Sequence, residues 1–183
     1  MAIWFERPTP ESLNAFRVNT LVAHLGISFI EVGDDFLRAT MPVDARTQQP
    51  YGVLHGGASV ALAETMGSTG AVACVDRSRY QCFGQEINAN HLRPVSSGLV
   101  TGTARPFHIG ARSQVWGIEI RDDRDHLTCV SRITLAAVER RLGEEALLRQ
   151  RTCDLAQAIA CAQVLQATRG KRALGGGARD EEL

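Results

Sequence analysis

The sequence has few of the features that mark secreted, membrane-spanning or nucleic-acid-binding proteins. Its five cysteines are odd in number and none forms a Cys-x-x-Cys pair, so we expect reduced thiols and a cytoplasmic protein. The first residues have neither the basic start nor the apolar core of a signal peptide. No apolar run approaches the length of a membrane span. The net charge of zero argues against nucleic acid or an acidic membrane as a partner.

Motifs of two common kinds of catalytic centre are also missing. None of the five histidines stands at metal-ligand spacing from a cysteine or a carboxylate, so we expect no metal site. The sequence contains no Gly-x-Ser-x-Gly turn, so we expect no catalytic serine triad.

What the sequence does contain is a long apolar segment with a single charge. From Ala58 to Val75 there is no proline, lysine or arginine, and Glu64 is the only charged residue. Such a segment predicts a helix that is buried over most of its circumference. An ionised carboxylate is costly in that setting unless it has a task. Glu64 is therefore the leading candidate for a functional residue, with a structural ion pair as the alternative.

A glycine-rich turn precedes this helix. Gly52, Gly56 and Gly57 surround His55, and N–H groups at a helix N-terminus suit an anion or a developing oxyanion. Glu64 lies eight residues beyond Gly56, which is about 12 Å along a straight helix. One substrate carbonyl cannot contact both from the same chain. If both act on it, the second comes from another subunit, and we expect an oligomer with shared sites.

The remaining sequence predicts an α+β domain. A helix should begin at Thr9-Pro10-Glu11 and end near Gly26. Predicted strands, separated by short polar turns, cover residues 27–32, 36–43, 82–94, 99–106, 113–121 and 127–139. Consecutive strands with short turns predict a meandering antiparallel sheet that wraps the buried helix. The composition changes after residue 139, so we predict a domain over 1–139 and a C-terminal helical extension with a flexible end over 140–183.

Several stretches together resemble one known family. Gln49–Ser59 and Leu62–Glu64, with Pro42–Asp44, Glu86–His91 and Gln114–Trp116, resemble the hotdog-fold acyl-CoA thioesterases of the PaaI-like branch. The likeness runs from about residue 4 to residue 138. It implies a hotdog fold, in which two units pair edge to edge and usually form a homotetramer as a dimer of dimers. It also implies hydrolysis of an acyl-CoA, with an aromatic acyl group favoured, and no metal or cofactor, since coenzyme A is part of the substrate.

The resemblance also assigns roles to residues. Glu64 matches the catalytic carboxylate, as nucleophile or general base, and the Gly56 N–H matches the oxyanion donor. His55 and Gln49 match residues that position the thioester and the water, and Ser68 matches a polar residue of the acyl pocket. The positions that match substrate and coenzyme A contacts are Gly84, His91, Leu92, Arg93, Pro94, His108, Ile109, Gly110, Ala111, Arg112 and Ser113. Gln85 departs from the family, whose members have a smaller or less polar residue there.

Three alternatives stay open. A hotdog dehydratase also uses a histidine and an acid, but places them differently and lacks the Gln-Pro-x-Gly-x-x-His-Gly-Gly run. A non-catalytic acyl-CoA sensor on the same fold would bind coenzyme A without turnover. A purely structural role is the weakest alternative, because it gives no reason for a lone carboxylate in an apolar helix.

Overall fold

The structure is a computed structural model of the chain, and it describes residues 1–15 and 17–140. Its helices are α1 (Pro10–Ala15), α2 (Leu21–His24) and α3 (Gly56–Ala73). Its strands are β1 (Ser28–Val32), β2 (Leu37–Pro42), β3 (Tyr80–His91), β4 (Leu99–Ile109), β5 (Ser113–Asp122) and β6 (Leu127–Glu139). Apart from Arg140, the predicted extension over residues 140–183 lies outside the described residues.

The strands form one six-stranded sheet, in the order β1-β2-β4-β5-β6-β3, and every neighbouring pair is antiparallel. Helix α3 packs against this sheet, so the predicted α+β class with a long central helix is confirmed. The predicted meander is wrong at one strand. Because α3 carries the chain across the sheet, β3 lies at the far edge beside β6 and does not pair with β4.

Helix α3 can lie close to the sheet because two of its glycines face it. A Cβ atom added at Gly67 would lie 2.4 Å from the side chain of Ile133, and one at Gly70 would lie 2.7 Å from the ring of Trp116. Leu62 and Met66, on the buried face of α3, are fully enclosed. Each such side chain contributes about 1.5–3 kcal/mol by leaving water. This burial compensates for the low helix propensity of glycine.

The N-terminal segment differs from its prediction. The single helix expected from residue 9 to about residue 26 is two short helices, α1 and α2. Asn19 between them has a φ of 59°, a left-handed conformation that no helix can continue. Thr20 then caps α2, and its hydroxyl accepts the Ala23 N–H at 3.4 Å.

Strand β3 contains an irregularity at Gln85, where the resemblance implies a smaller or less polar residue. Gly84 pairs with Leu135 and Glu86 pairs with Thr134, so Gln85 is an extra residue in the ladder. A bulge of this kind bends the strand and redirects side chains. Among the described residues, no helix is both long and apolar enough to cross a membrane.

Candidate active site

The carboxylate of Glu64 lies between its own helix and the edge strand. Glu64 is partly buried in the middle of α3, and the Ser68 hydroxyl, one turn later, donates to its Oε1 at 3.0 Å. A Cβ atom added at Gly84 of β3 would lie only 2.6 Å from the same oxygen. Because residue 84 is a glycine, the Glu64 carboxylate can lie directly against the backbone of β3.

His55 caps α3, and its predicted role in positioning a thioester stays a prediction. Its Nδ1 accepts the Gly57 N–H at 2.8 Å, so the proton of the neutral ring lies on Nε2. This cap makes the helix begin at Gly56, two residues before the predicted Ala58. The Gly56 N–H is the first of the helix and has no acceptor within it.

A cavity of about 290 Å³ lies beside the start of α3. It brings together Gly56, Gln49 and the predicted coenzyme A segment from His91 to Pro94. The ring of His91 lies against the glycine, because a Cβ atom added at Gly56 would be 2.7 Å from His91 Nε2. Two buried hydroxyl residues, Ser59 and Thr128, also line this cavity, and sequence reasoning missed both. His55 lines a separate cavity of about 340 Å³ with Ala58 and Ala61.

The candidate site has two halves, one around the Glu64 carboxylate and one around the Gly56 N–H, and they lie apart within one chain. Glu64 contacts β3 at Gly84, whereas Gly56 contacts it at His91, seven residues further along. Because of the bulge at Gln85, the partner strand covers the same distance in six residue steps, from Leu135 to Cys129, which is about 20 Å of extended chain. The geometry therefore agrees with the prediction that one carbonyl cannot reach Glu64 and Gly56 of the same protomer.

The predicted coenzyme A residues divide between these two halves. The segment from His108 to Ser113 contains the turn between β4 and β5 and the strand ends beside it, and the Gly110 N–H closes the turn by donating to the Ser113 carbonyl at 2.9 Å. Ser113 is paired with Ala136, which in turn is paired with Phe83 of β3. The turn thus lies at the Gly84 end of the sheet, two strands from the edge, and far from the His91 segment.

A larger cavity, of about 700 Å³, opens beside Ser68. Its apolar wall includes Leu13, Phe29 and Val72, and Arg7 and Arg77 also line it. Sequence reasoning missed this cavity because its wall depends on long-range contacts. The segment before α1 is held to the end of α3 by a hydrogen bond from the Phe5 N–H to the Ala73 carbonyl, at 2.9 Å.

The thiols of the described residues are poor nucleophiles. Burial raises the pKa of Cys74 to about 12, and the neighbouring Cys82 adds to the shift. Burial also raises the pKa of Cys82 and of Cys129. These groups are protonated at neutral pH, so the thiolate that a covalent thiol mechanism needs is not formed. In residues 1–15 and 17–140, no group of three or more His, Cys, Asp or Glu side chains is arranged to hold a metal.

The chain is similar to proteins of one superfamily. Residues 51–129 match the family described as the thioesterase superfamily. The chain is 50% identical over 134 residues to the 1,4-dihydroxy-2-naphthoyl-CoA hydrolase of Escherichia coli, covering 73% of this chain and 98% of that protein. It is 51% identical over 136 residues to the proofreading thioesterase EntH of Cronobacter turicensis, covering 74% of this chain and 98% of that protein.

The fold is similar to a solved thioesterase structure. The crystal structure of a mutant thioesterase from Pseudomonas aeruginosa superposes with a TM-score of 0.75 at 47% identity. The superposition covers 76% of this chain and 100% of that one.

Proposed function

Because the chain belongs to the thioesterase superfamily and is a thioester hydrolase, we propose that it cleaves aromatic acyl-CoA thioesters with Glu64 as the catalytic carboxylate. The observation that carries this proposal is the setting of Glu64. Its carboxylate is held by the Ser68 hydroxyl and lies against the Gly84 backbone, where the resemblance expects a reacting group. A structural ion pair would instead need a cation within reach, and no salt bridge of the described residues involves Glu64.

The proposed working unit is a pair of chains joined through β3. Within residues 1–15 and 17–140, this strand pairs with β6 on one side and with no strand on the other, so its outer edge can accept a second copy. In an antiparallel pair of β3 strands with Gly84 of one copy opposite His91 of the other, Glu64 of the first lies near Gly56 of the second, because each contacts its own end of β3. The dimer of dimers stays a prediction.

In the proposed reaction the thioester carbonyl oxygen accepts the Gly56 N–H, where the positive end of the α3 dipole also stabilises developing charge. Glu64 of the facing copy then acts in one of two ways. As a nucleophile it forms a mixed anhydride and expels the coenzyme A thiolate, and water then hydrolyses the anhydride. As a general base it takes a proton from water, which adds to the carbonyl before the thiolate leaves and is protonated. Both routes give the free acid and coenzyme A, and neither needs a metal or a cofactor.

The cavity of about 700 Å³ beside Ser68 is the proposed place of the acyl group. It lies within the size range of small-molecule sites, and Phe29 and Leu13 give it an apolar wall that suits an aromatic ring. The name of the E. coli relative, a naphthoyl-CoA hydrolase, supports an aromatic substrate.

Arg93, in the cavity of about 290 Å³ beside the start of α3, is suited to a phosphate of coenzyme A. The free thiols of Cys74, Cys82 and Cys129 support a cytoplasmic location.

The experiment is steady-state hydrolysis of aromatic and aliphatic acyl-CoA thioesters, with release of free thiol as the readout. We expect aromatic esters to be preferred. Glu64→Gln should lower kcat by about 10²–10⁴-fold, because the substitution removes the charge of the side chain while it keeps the shape. Glu31→Gln is the matched control, since Glu31 is an exposed glutamate paired with Arg38 on the sheet.

Two results would contradict the proposal. Near-normal turnover by Glu64→Gln would remove the carboxylate from the mechanism. Coenzyme A binding without turnover of any ester would instead support the acyl-CoA sensor.

A further inference from the structure

Helix α3 presents fewer N–H donors at its start than a glycine-rich N-terminus suggests. The Gly57 N–H is taken by His55 Nδ1 at 2.8 Å. The next two N–H groups, those of Ala58 and Ser59, donate to the His55 carbonyl at 2.9 and 3.2 Å. Within the first turn this leaves the Gly56 N–H for a substrate. Oxyanion sites of acyl transfer enzymes commonly combine several donors, so a second donor would have to come from a side chain.

Ser59 is a buried residue that lines the cavity of about 290 Å³ beside the start of α3. Its exposed fraction is only 3%, and it lines the cavity together with Gly56. None of the side-chain hydrogen bonds within residues 1–15 and 17–140 involves Ser59 Oγ. Every side-chain N or O atom that is fully enclosed in that part of the chain has a partner. The Ser59 hydroxyl therefore has surface open to the cavity.

The other hydroxyls of α3 have acceptors within their own helix. Thr65 donates to the Ala61 carbonyl and Thr69 donates to the Thr65 carbonyl, both at 2.7 Å. Ser68 donates to Glu64 at 3.0 Å. Ser59 differs from all three, because its hydroxyl has no acceptor within the described residues and the residue lines the cavity at the start of the helix.

We infer that Ser59 is a second hydrogen-bond donor to the thioester carbonyl oxygen, beside the Gly56 N–H. Side chains of a helix lean towards its N-terminus, so Ser59 projects over the turn that begins at Gly56. An oxygen placed in the cavity within reach of the Gly56 N–H can then accept the Ser59 hydroxyl as well. The serine keeps its proton throughout and forms no covalent bond. This inference rests on the proposed function, since it deepens the oxyanion site of that reaction.

The test is the kinetic effect of Ser59→Ala on the aromatic ester that the wild-type protein hydrolyses fastest. Loss of one oxyanion donor costs about 10²–10³-fold in kcat, and we expect a loss of that size with little change in KM. A ketone analogue, in which a CH₂ group separates the coenzyme A sulfur from the carbonyl, should bind both proteins with similar affinity by calorimetry. The matched control is Thr65→Ala, which removes a hydroxyl of the same helix that bonds to Ala61, and kcat should not change.

Three outcomes would overturn the inference. Unchanged kcat in Ser59→Ala would show that the hydroxyl does not contact the reacting oxygen. A loss as large as that of Glu64→Gln, with an acylated Ser59 in the wild-type protein by mass spectrometry, would make the serine a nucleophile. A rise in KM alone would make it a residue of substrate binding. If Ser59→Ala lowers the melting temperature, Ser59→Cys, which keeps the size of the side chain but is only a weak donor, repeats the comparison.

The failure of this inference and that of the proposed function are distinguishable. Turnover by the wild-type protein that Glu64→Gln abolishes and Ser59→Ala leaves intact would contradict the inference alone. Absence of turnover on every ester would contradict both.

Discussion

At the scale of single residues, the site depends on glycines that leave room for polar side chains. Gly84 makes room for the Glu64 carboxylate, and Gly56 makes room for the His91 ring. Neither glycine has a positive φ, so the requirement is for space and not for an unusual backbone. A methyl group at either position would displace a side chain of the site without straining the main chain.

The first prediction at this scale concerns Gly84→Ala. The new Cβ would lie 2.6 Å from Glu64 Oε1, so the carboxylate must move. Because Oε1 is the end of a flexible side chain, we expect little change in melting temperature but a loss of at least about tenfold in kcat, as small misplacements of reacting groups are costly. Enzyme kinetics and thermal unfolding of the same preparation give the two readouts.

Gly117→Ala is the matched control for that substitution. Its Cβ would also meet the end of a flexible side chain, the Phe107 ring, at 2.4 Å, but on strands β4 and β5 away from Glu64. We expect this control to keep its kcat. If Gly84→Ala and Gly117→Ala have the same kcat, the proposed position of the Glu64 carboxylate is contradicted.

Residue patterns predicted part of the site well and part of it not at all. Glu64 stands out locally, because it is the only charge in an apolar segment, and Gly56 stands out as part of a glycine-rich turn. Ser59 has no such signal, since a serine in a helix is unremarkable until its burial and its cavity are known. The cap formed by His55 could not be predicted either, because the sequence does not show whether Nδ1 accepts the Gly57 N–H or a group of the substrate.

At the scale of elements, the alternation of apolar and polar residues predicted the bounds of the strands better than it predicted which strands are neighbours in the sheet. The bounds of β6 agree with the prediction over 127–139, and the start of β4 agrees at residue 99. The position of β3 at the sheet edge could not be predicted from local patterns, because it depends on the path of α3 across the sheet. The break between α1 and α2 depends on one left-handed residue, Asn19.

One buried polar contact connects α3 to the sheet and supplies the next prediction. Gln114 of β5 is fully enclosed, donates to the Ala71 carbonyl at 3.2 Å and accepts the Trp116 indole N–H at 3.0 Å. Gln114→Leu leaves the indole N–H without an acceptor, which costs about 1–3 kcal/mol of the free energy of unfolding. Urea denaturation should show this decrease. Unchanged stability would mean that the contact contributes little net free energy.

At the scale of the whole molecule, the edge of the sheet determines what a single chain can do. Strand β3 is 12 residues long, and its outer edge has no partner strand within the described residues. Long unpaired edges are liabilities for aggregation, so proteins usually cover them or pair them. Pairing through this edge would protect the strand and would also join Glu64 to the start of α3 of another copy.

The last prediction tests shared sites by mixing two inactive variants. Glu64→Gln removes the carboxylate, and Gly56→Pro removes the N–H donor at a helix position that tolerates proline. The extended conformation of His55, with ψ at 133°, also suits a following proline. The proline ring would displace His91, which belongs to the same half of the site as Gly56.

The two variants are produced together with different tags, and mixed oligomers are isolated by sequential affinity steps. If the site combines Glu64 of one copy with Gly56 of another, each mixed dimer has one intact site, so we expect about half of the wild-type activity per dimer. Each variant purified with itself as partner is the control and should stay inactive. Mixed dimers that are as inactive as these controls would place both groups in one chain, which the separation of Gly84 and His91 along β3 argues against.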